Sequence, residues 1–300
     1  MTLRVPVTEI VAYYEPKTRE LLRRYGPGPR LHYHTGIVDE QGALEDSLPA
    51  LRKGIVAAQE RMLHHAAGIW QAQSTLCGEV LDVGCGLGGG ALFWAQEFGA
   101  QVTAVTCVPS HVEWVARFAA QAGVASRVRP LLSDALEIPG EDCFDAAVAV
   151  DSCCHIPRKA LFHRLARLLR PGGRVFLTDL FLVRAEYEEL FNRHWHVRIG
   201  TIEEYRSAAQ EAGLREESVE EISHRVEYFW AMTLALIQAE AREKELTPPE
   251  RAKFKEALQT HALVRQGLVD GGYRYALMSF SKGRDATRRP SADPQSETGW

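Results

Sequence analysis

No stretch of the sequence approaches the roughly 18 consecutive apolar residues that a membrane-spanning helix needs, so no membrane span is expected. The opening MTLRVPVTEI lacks an apolar core behind a basic start, so no secretory signal is expected either. Charge of one sign is also missing. Thirty-five basic side chains stand against 39 acidic ones, for a net charge of -4. A nucleic-acid partner is therefore not expected, because such binding depends on neutralising phosphates with a basic surface. The six cysteines, at positions 77, 85, 107, 143, 153 and 154, include no C-x-x-C pair, which indicates neither a zinc site nor a disulfide framework. Reduced thiols in a cytoplasmic protein are the expectation. No internal repeat is visible. What remains is ordinary in bulk: 300 residues, 46% hydrophobic and 25% charged, enough for one large domain or a core with an appended cap.

The order of patterns is more informative. Glu9 to Tyr25 carries Ile10, Tyr13, Tyr14, Leu21 and Leu22 at helix-like spacings, with Pro16 able to divide the segment. Gly26-Pro27-Gly28-Pro29 is a breaker, followed by an aromatic and imidazole-rich loop, Leu31 to Gly36. A second helix fits Ala50 to Gln71. From there strands and helices alternate: strands at Glu79–Val83, Gln101–Cys107, Val128–Leu132, Phe144–Val150 and Arg174–Leu180, with helical stretches between them. That alternation predicts a parallel sheet covered on both faces. Beyond it, Thr201-Ile202-Glu203-Glu204 reads as a capping box, 226–246 as a long helix and Tyr273–Phe280 as a strand that closes the sheet. The last 20 residues are polar and aperiodic, and disorder is expected there.

A glycine loop, Gly84-Cys85-Gly86-Leu87-Gly88-Gly89-Gly90, follows the first strand. Such loops let the backbone approach a ligand at a helix N-terminus, in dinucleotide enzymes and methyltransferases alike. Three features separate the two. Asp82, two residues before the first glycine, can meet the ammonium of S-adenosylmethionine. Asp134, in Ser133-Asp134-Ala135 after the third strand, can accept from an adenine amino group. Leu169-Arg170-Pro171-Gly172-Gly173-Arg174 precedes the fifth strand.

At these residues, from about Glu79 to Leu180, the chain resembles the class I S-adenosylmethionine-dependent methyltransferases. The motifs DVGCGLGG, SDA, FDAAVAVDS and LLRPGGRV occur in that family's order and at its separations. The resemblance implies an α/β, Rossmann-like fold with a seven-stranded, mostly parallel sheet. It implies S-adenosylmethionine as cofactor, lying across Asp82, Gly84, Gly86, Thr106, Asp134 and Ala135. One departure stands out: most of the superfamily place an acid, which holds the ribose, where this chain has Thr106. A threonine there is similar to cyclopropane fatty acid synthases and some isoprenoid C-methyltransferases. Those carry glutamine where this chain has His111, the remaining candidate for the ribose.

Asp151-Ser152-Cys153-Cys154-His155, after the fourth strand, resembles the Glu-Ala-Thr-Cys-His stretch of sterol C-methyltransferases, and geranyl diphosphate C-methyltransferases have an acid at the same place. Tyr13-Tyr14, the loop Leu31 to Ile37, Tyr228-Phe229-Trp230 and Val269 to Leu277 are similar, more loosely, to elements of the geranyl diphosphate enzymes. These resemblances imply methylation of an isoprenoid alkene through a carbocation, with Asp151 as base and Tyr33 and His155 beside it. They leave open that Asp151 only caps the next turn or touches the cofactor. Tyr14, His32, His34, Phe229 and Trp230 are the candidate acceptor pocket. A diphosphate on the acceptor would call for Arg23, Arg24, Arg30, His32 or His34, with Mg²⁺ if the acceptor is a diphosphate. His194 and His196 are lesser candidates, and no metal site of the protein's own is expected. The alternative is an O- or N-methyltransferase of a small natural product, with a histidine such as His155 as base. A third reading is a protein that binds the cofactor without methyl transfer. The expected organisation is an N-terminal helical lid at 1–70, a cofactor-binding core at 71–181, a C-terminal cap completing the sheet at 182–283, and a disordered tail at 284–300. The partner is a small molecule; a homo-oligomer is compatible with the sequence.

Overall fold

Val80 and Leu81 are neighbours in the chain but belong to different cores, and so do Ala146 and Ala147, and Phe176 and Leu177. A strand whose successive side chains enter opposite cores is covered on both faces, the signature of a parallel sheet between helical layers. The structure, a computed structural model, describes residues 5–38, 47–243 and 245–284. Its helices and strands run α1 (Val7–Tyr14), α2 (Thr18–Tyr25), α3 (Leu48–Ile69), α4 (Ala72–Thr75), β1 (Glu79–Val83), α5 (Gly89–Phe98), β2 (Gln101–Thr106), α6 (Pro109–Gln121), β3 (Val128–Leu132), β4 (Phe144–Val150), α7 (Arg158–Leu168), β5 (Leu169–Leu182), α8 (Glu188–Trp195), α9 (Ile202–Glu211), β6 (Leu214–Glu221), α10 (Ser223–Arg242), α11 (Pro248–Asp270) and β7 (Tyr273–Lys282).

Among the described residues the seven strands form one sheet in the order β3-β2-β1-β4-β5-β7-β6. β1 to β5 pair in parallel, and β7 runs antiparallel to both β5 and β6. The Rossmann-like α/β fold is as the motifs imply. α7 and α9 cover one face; α3, α5, α6, α8, α10 and α11 contribute to the core on the other. The order reverses between β1 and β4, and the crevice at the carboxyl ends of these strands is where open α/β sheets place ligands.

Several expectations need adjusting. Pro16 does divide the first helical segment, into α1 and α2. β5 begins at Leu169 rather than Arg174, because Arg170–Gly173 form a register shift inside the strand instead of a stop before it. β7 does not close the sheet; β6 lies outside it as the edge. β6 is LREESVEE, whose four glutamates suit a solvent-facing edge and protect it from pairing with another chain. The capping box at Thr201 and Glu204 is formed. Ser281 and Lys282, within the stretch expected to be disordered, end β7, and Arg284 is still described; the rest of the expected tail, 285–300, lies outside the described residues. No helix among the described residues is long and apolar enough to cross a membrane.

Candidate active site

The glycine loop leaves β1 and enters α5 with Gly84, Gly86 and Gly88 all at positive φ. A Cβ on Gly84 would come within 2.7 Å of the Ser152 Cβ, so this glycine lets the loop pack on the turn after β4. At Gly86, φ +54, a Cβ would meet nothing within 4 Å, so the bare backbone faces open space. That space is a chamber lined by Asp82, Gly84, Gly86, Thr106, His111, Asp134 and Ala135, among others. Asp82 is 4% exposed, and burial pushes its carboxyl up to about 7. A buried carboxylate with no cation beside it is what a ligand ammonium would relieve. His111 is buried with neither ring nitrogen bonded to protein, and burial lowers it to about 4. A bare glycine backbone, an uncompensated acid and a neutral, unpartnered histidine in one chamber fit S-adenosylmethionine. Thr106 fits less directly, since its hydroxyl already accepts from the Val108 N–H at 3.1 Å.

A second chamber adjoins the first, and its character differs. Tyr25, Tyr33, Phe191, Trp195, Phe229 and Trp230 line it, with Leu180 and Val197 and the polar Gln59, Asp179 and Thr233. The rings pack mostly edge to face: Trp195 on Trp230 at 5.8 Å, Phe229 on Trp230 at 6.0 Å. His261 lies 5.2 Å from Trp230, bonds to the Thr233 hydroxyl at 2.9 Å, and is lowered by burial to about 3. Neither chamber has a lysine or arginine among its described lining residues.

Tyr14, Tyr33, His34, Asp151 and His155 line both chambers and so form the wall between them. Asp151 follows β4 with φ +48, a conformation that costs a non-glycine residue energy and persists only where the surroundings impose it. Its Oδ2 accepts from the Thr35 N–H at 2.7 Å and its Oδ1 from the Tyr275 O–H at 2.7 Å, with the Thr178 hydroxyl at 3.4 Å. Burial raises its carboxyl; these donors pull it part of the way back. The Tyr14 hydroxyl lies 3.1 Å from His155 Nε2, and burial lowers His155 to about 4, so the imidazole is neutral at neutral pH. His34 is lowered to about 3 by burial, with Nδ1 bonded to the Thr35 carbonyl.

Most residues singled out from the sequence therefore converge, but four do not behave as expected. His32 lines the first chamber, not the aromatic one, because its Nε2 is tied to Glu60 at 2.8 Å. Arg24 is held by Glu240 at 2.5 Å and Glu20 at 2.8 Å, Arg23 reaches Glu240 at 3.4 Å, and Arg30 is bound to Glu60, Glu97 and Gln96. Carboxylates already hold these cations, and none of the three lines either chamber, so none is placed to hold a diphosphate. Among the described residues no group of three or more His, Cys, Asp or Glu side chains could hold a metal ion. His194 bonds Glu256 at 3.4 Å, and His196 packs on the Tyr13 ring; neither lines a chamber. Thr35, Thr178, Tyr275, Phe191 and Trp195 were not singled out. A hydroxyl within a strand carries no local signal, and only the sheet order shows that Thr178 and Tyr275 meet Asp151.

Comparison with known proteins agrees with this geometry. The family described as "Methyltransferase domain" matches residues 80–173. The 27-O-demethylrifamycin SV methyltransferase of Amycolatopsis mediterranei is 31% identical over 77% of this chain and 83% of its own length. The sterol 24-C-methyltransferase ERG6A of Gibberella zeae is 31% identical over 48% of this chain and 37% of its own. A geranyl diphosphate methyltransferase solved with geranyl diphosphate and sinefungin shares the fold, with a TM-score of 0.75 and 22% identity over 92% of this chain and 99% of that one. The chain belongs to the class I S-adenosylmethionine-dependent methyltransferases, and it is an enzyme of that family.

Proposed function

We propose that this enzyme methylates a carbon of an apolar alkene of isoprenoid type, held in the aromatic chamber, with Asp151 taking the proton that leaves. The observation that carries the reading is the position of the Asp151 carboxylate in the wall shared by the two chambers, with aromatic rings and no lysine or arginine among the described residues lining the acceptor side. When bound, S-adenosylmethionine supplies an electrophilic methyl group. Asp82 would hold its ammonium, the bare backbone at Gly86 would admit it closely, and His111 and Asp134 would contact its nucleoside. On the acceptor side, an alkene carbon that gains a methyl leaves its neighbour cationic. The faces of Tyr33, Phe229 and Trp230 can stabilise that charge. Asp151 can then remove a proton from the adjacent carbon and restore the double bond. The N-terminal segment, which contributes Tyr14, Tyr33 and His34 to the wall, would act as a lid that keeps water from the cation. No lysine or arginine is among the described lining residues, and burial keeps His34, His155 and His261 neutral, which supports an acceptor without a diphosphate.

A second reading, O-methylation of a small natural product, is favoured by one contact. His155 is neutral and lies in the shared wall against the Tyr14 hydroxyl, where it could take a proton from an acceptor hydroxyl. The relative from Amycolatopsis is named for transfer to oxygen.

Mass spectrometry of reactions with CD₃-labelled S-adenosylmethionine separates these readings. Acceptors would be prenyl alcohols and hydrocarbons, prenyl diphosphates with and without Mg²⁺, and phenols. Labelled carbon in a prenyl alcohol or hydrocarbon supports the proposal. Label on oxygen overturns it in favour of the second reading. Transfer only to diphosphates would show that basic groups outside the described linings hold the acceptor.

A further inference from the structure

β4, β5 and β7 are adjacent in the sheet, with Val150 paired to Thr178 and Thr178 to Leu277. Asp151 directly follows β4, and its own N–H donates to the Thr178 carbonyl at 3.0 Å. Tyr275, two residues from Leu277 on β7, points to the same face as Thr178, and its ring is fully buried. Three neighbouring strands thus bring one carboxylate, one threonine hydroxyl and one phenol together. The Tyr275 O–H lies 2.7 Å from Asp151 Oδ1, and the Thr178 hydroxyl is 3.1 Å from the tyrosine oxygen. Tyr275 lines neither chamber, so it cannot touch an acceptor or cofactor held there.

We infer that Tyr275 is a positioning residue, the fixed arm that holds Oδ1 of Asp151 from behind and keeps the carboxylate turned toward the chambers. The inference rests on the reading of Asp151 as the base. An ionised carboxylate has about four acceptor sites. Tyr275 and Thr178 occupy the Oδ1 side from the sheet, and Thr35 reaches Oδ2 from the N-terminal segment. A site is left for the proton that catalysis delivers. The two arms differ in kind: Tyr275 belongs to the sheet, whereas Thr35 arrives with the segment that covers the site. Tyr275 therefore holds the base in place whatever the covering segment does. Other titratable groups around Asp151 are Asp179 on β5, Cys153, Cys154 and His155 after β4, and Tyr14, Tyr33 and His34 from the N-terminal segment. Of these only Asp179, which burial pushes up to about 7, titrates near neutrality, and its Oδ2 accepts from the Tyr205 O–H at 2.8 Å on α9.

The test is the titration of Asp151 itself, followed by ¹³C NMR in protein labelled at the aspartate carboxyl carbon, saturated with S-adenosylhomocysteine, and assigned by the resonance missing from Asp151→Asn. Tyr275→Phe keeps the ring and removes the donor, so the midpoint should rise by about one unit, the value of one hydrogen bond to a charged group. Replacing Tyr275 by 3,5-difluorotyrosine keeps the fold and strengthens the donor, so the midpoint should fall. If neither substitution moves it, the inference is overturned, even if Asp151→Asn abolishes turnover and the base reading stands. If the midpoint moves as expected but Asp151→Asn turns over like the parent, the base reading has failed, and the inference falls with it. Movement of the midpoint together with loss of turnover in Asp151→Asn supports both.

Discussion

The Thr35 N–H donates to Asp151 Oδ2 at 2.7 Å across 116 positions of sequence. A loop of the N-terminal segment thereby reaches the end of β4 and completes the shell of the proposed base. Replacing Asp151 by asparagine preserves shape but removes the lone pair that takes the proton. Turnover should fall by roughly 10²-fold or more, the usual contribution of a positioned acid or base. Cofactor affinity, read by calorimetry with S-adenosylhomocysteine, should stay within a few-fold. Equal losses in both would assign Asp151 to the cofactor.

Asp82 makes a pH-dependent prediction. Burial holds its carboxyl near 7 in the ligand-free protein, against an ordinary value near 4. A ligand ammonium stabilises the ionised form, so binding below about pH 7 must expel a proton. Affinity for S-adenosylhomocysteine should therefore decline as pH falls through 7, with proton release visible as a buffer-dependent heat of binding. Stability has the opposite sign. The folded state binds this proton more tightly than the unfolded state, so the free protein loses stability as pH rises from about 4 to 7. Asp82→Asn should raise the thermal midpoint of the free protein at pH 8 by several degrees while weakening cofactor binding at least tenfold. A lowered midpoint with intact binding would show that the carboxylate is not an uncompensated charge.

The proposed cofactor half of the site is legible in the sequence because its residues are local: an acid, glycines and a second acid at fixed distances from strand ends. The acceptor half was only partly legible. Phe229, Trp230 and Tyr33 stood out as aromatics, but Phe191 and Trp195 lie on α8, whose amphipathic pattern reads equally well as core packing. The arginines near the start are ambiguous in sequence for a related reason. Arg23 and Arg24 look like free cations until α10 brings Glu240, 1% exposed, against them. β6 cannot be located from the sequence because its charges, which keep an edge strand solitary, erase the apolar alternation by which strands are found.

Glu240 draws Arg23, Arg24 and Arg52 to one buried carboxylate and so ties α2 and α3 to α10. The arginines, Arg24 first, hold it below the ordinary glutamate value despite its burial. The stability it adds is present above that ordinary value and is lost as pH falls through the lowered one. Glu240→Gln removes the counter-charge that the partly exposed Arg23, Arg24 and Arg52 share, though Arg24 keeps Glu20. It should cost about 2 kcal/mol, below the figure for a fully buried pair because water still reaches Arg23 and Arg52. Urea denaturation at neutral pH and again near pH 3 checks this: the gap between parent and variant should shrink at the lower pH.

Gly89 opens α5, and a Cβ there would collide with the Leu31 carbonyl and come within 2.5 Å of His32 Nδ1. The collision partner is backbone, which cannot swing aside as a side-chain end could. Gly89→Ala should therefore push the Leu31–His32 segment off the glycine loop without straining α5, since alanine favours a helix over glycine. The Tyr33–Thr35 stretch follows His32 directly, so the displaced segment would carry Thr35 away from Asp151. Turnover should fall at least tenfold and hydrogen exchange at the Thr35 amide should quicken, while exchange in β4 and β5 stays unchanged. If Thr35 exchange is unaltered while turnover falls, the loss comes from the cofactor side of the loop. The coupling between the N-terminal segment and the base would then be disproved.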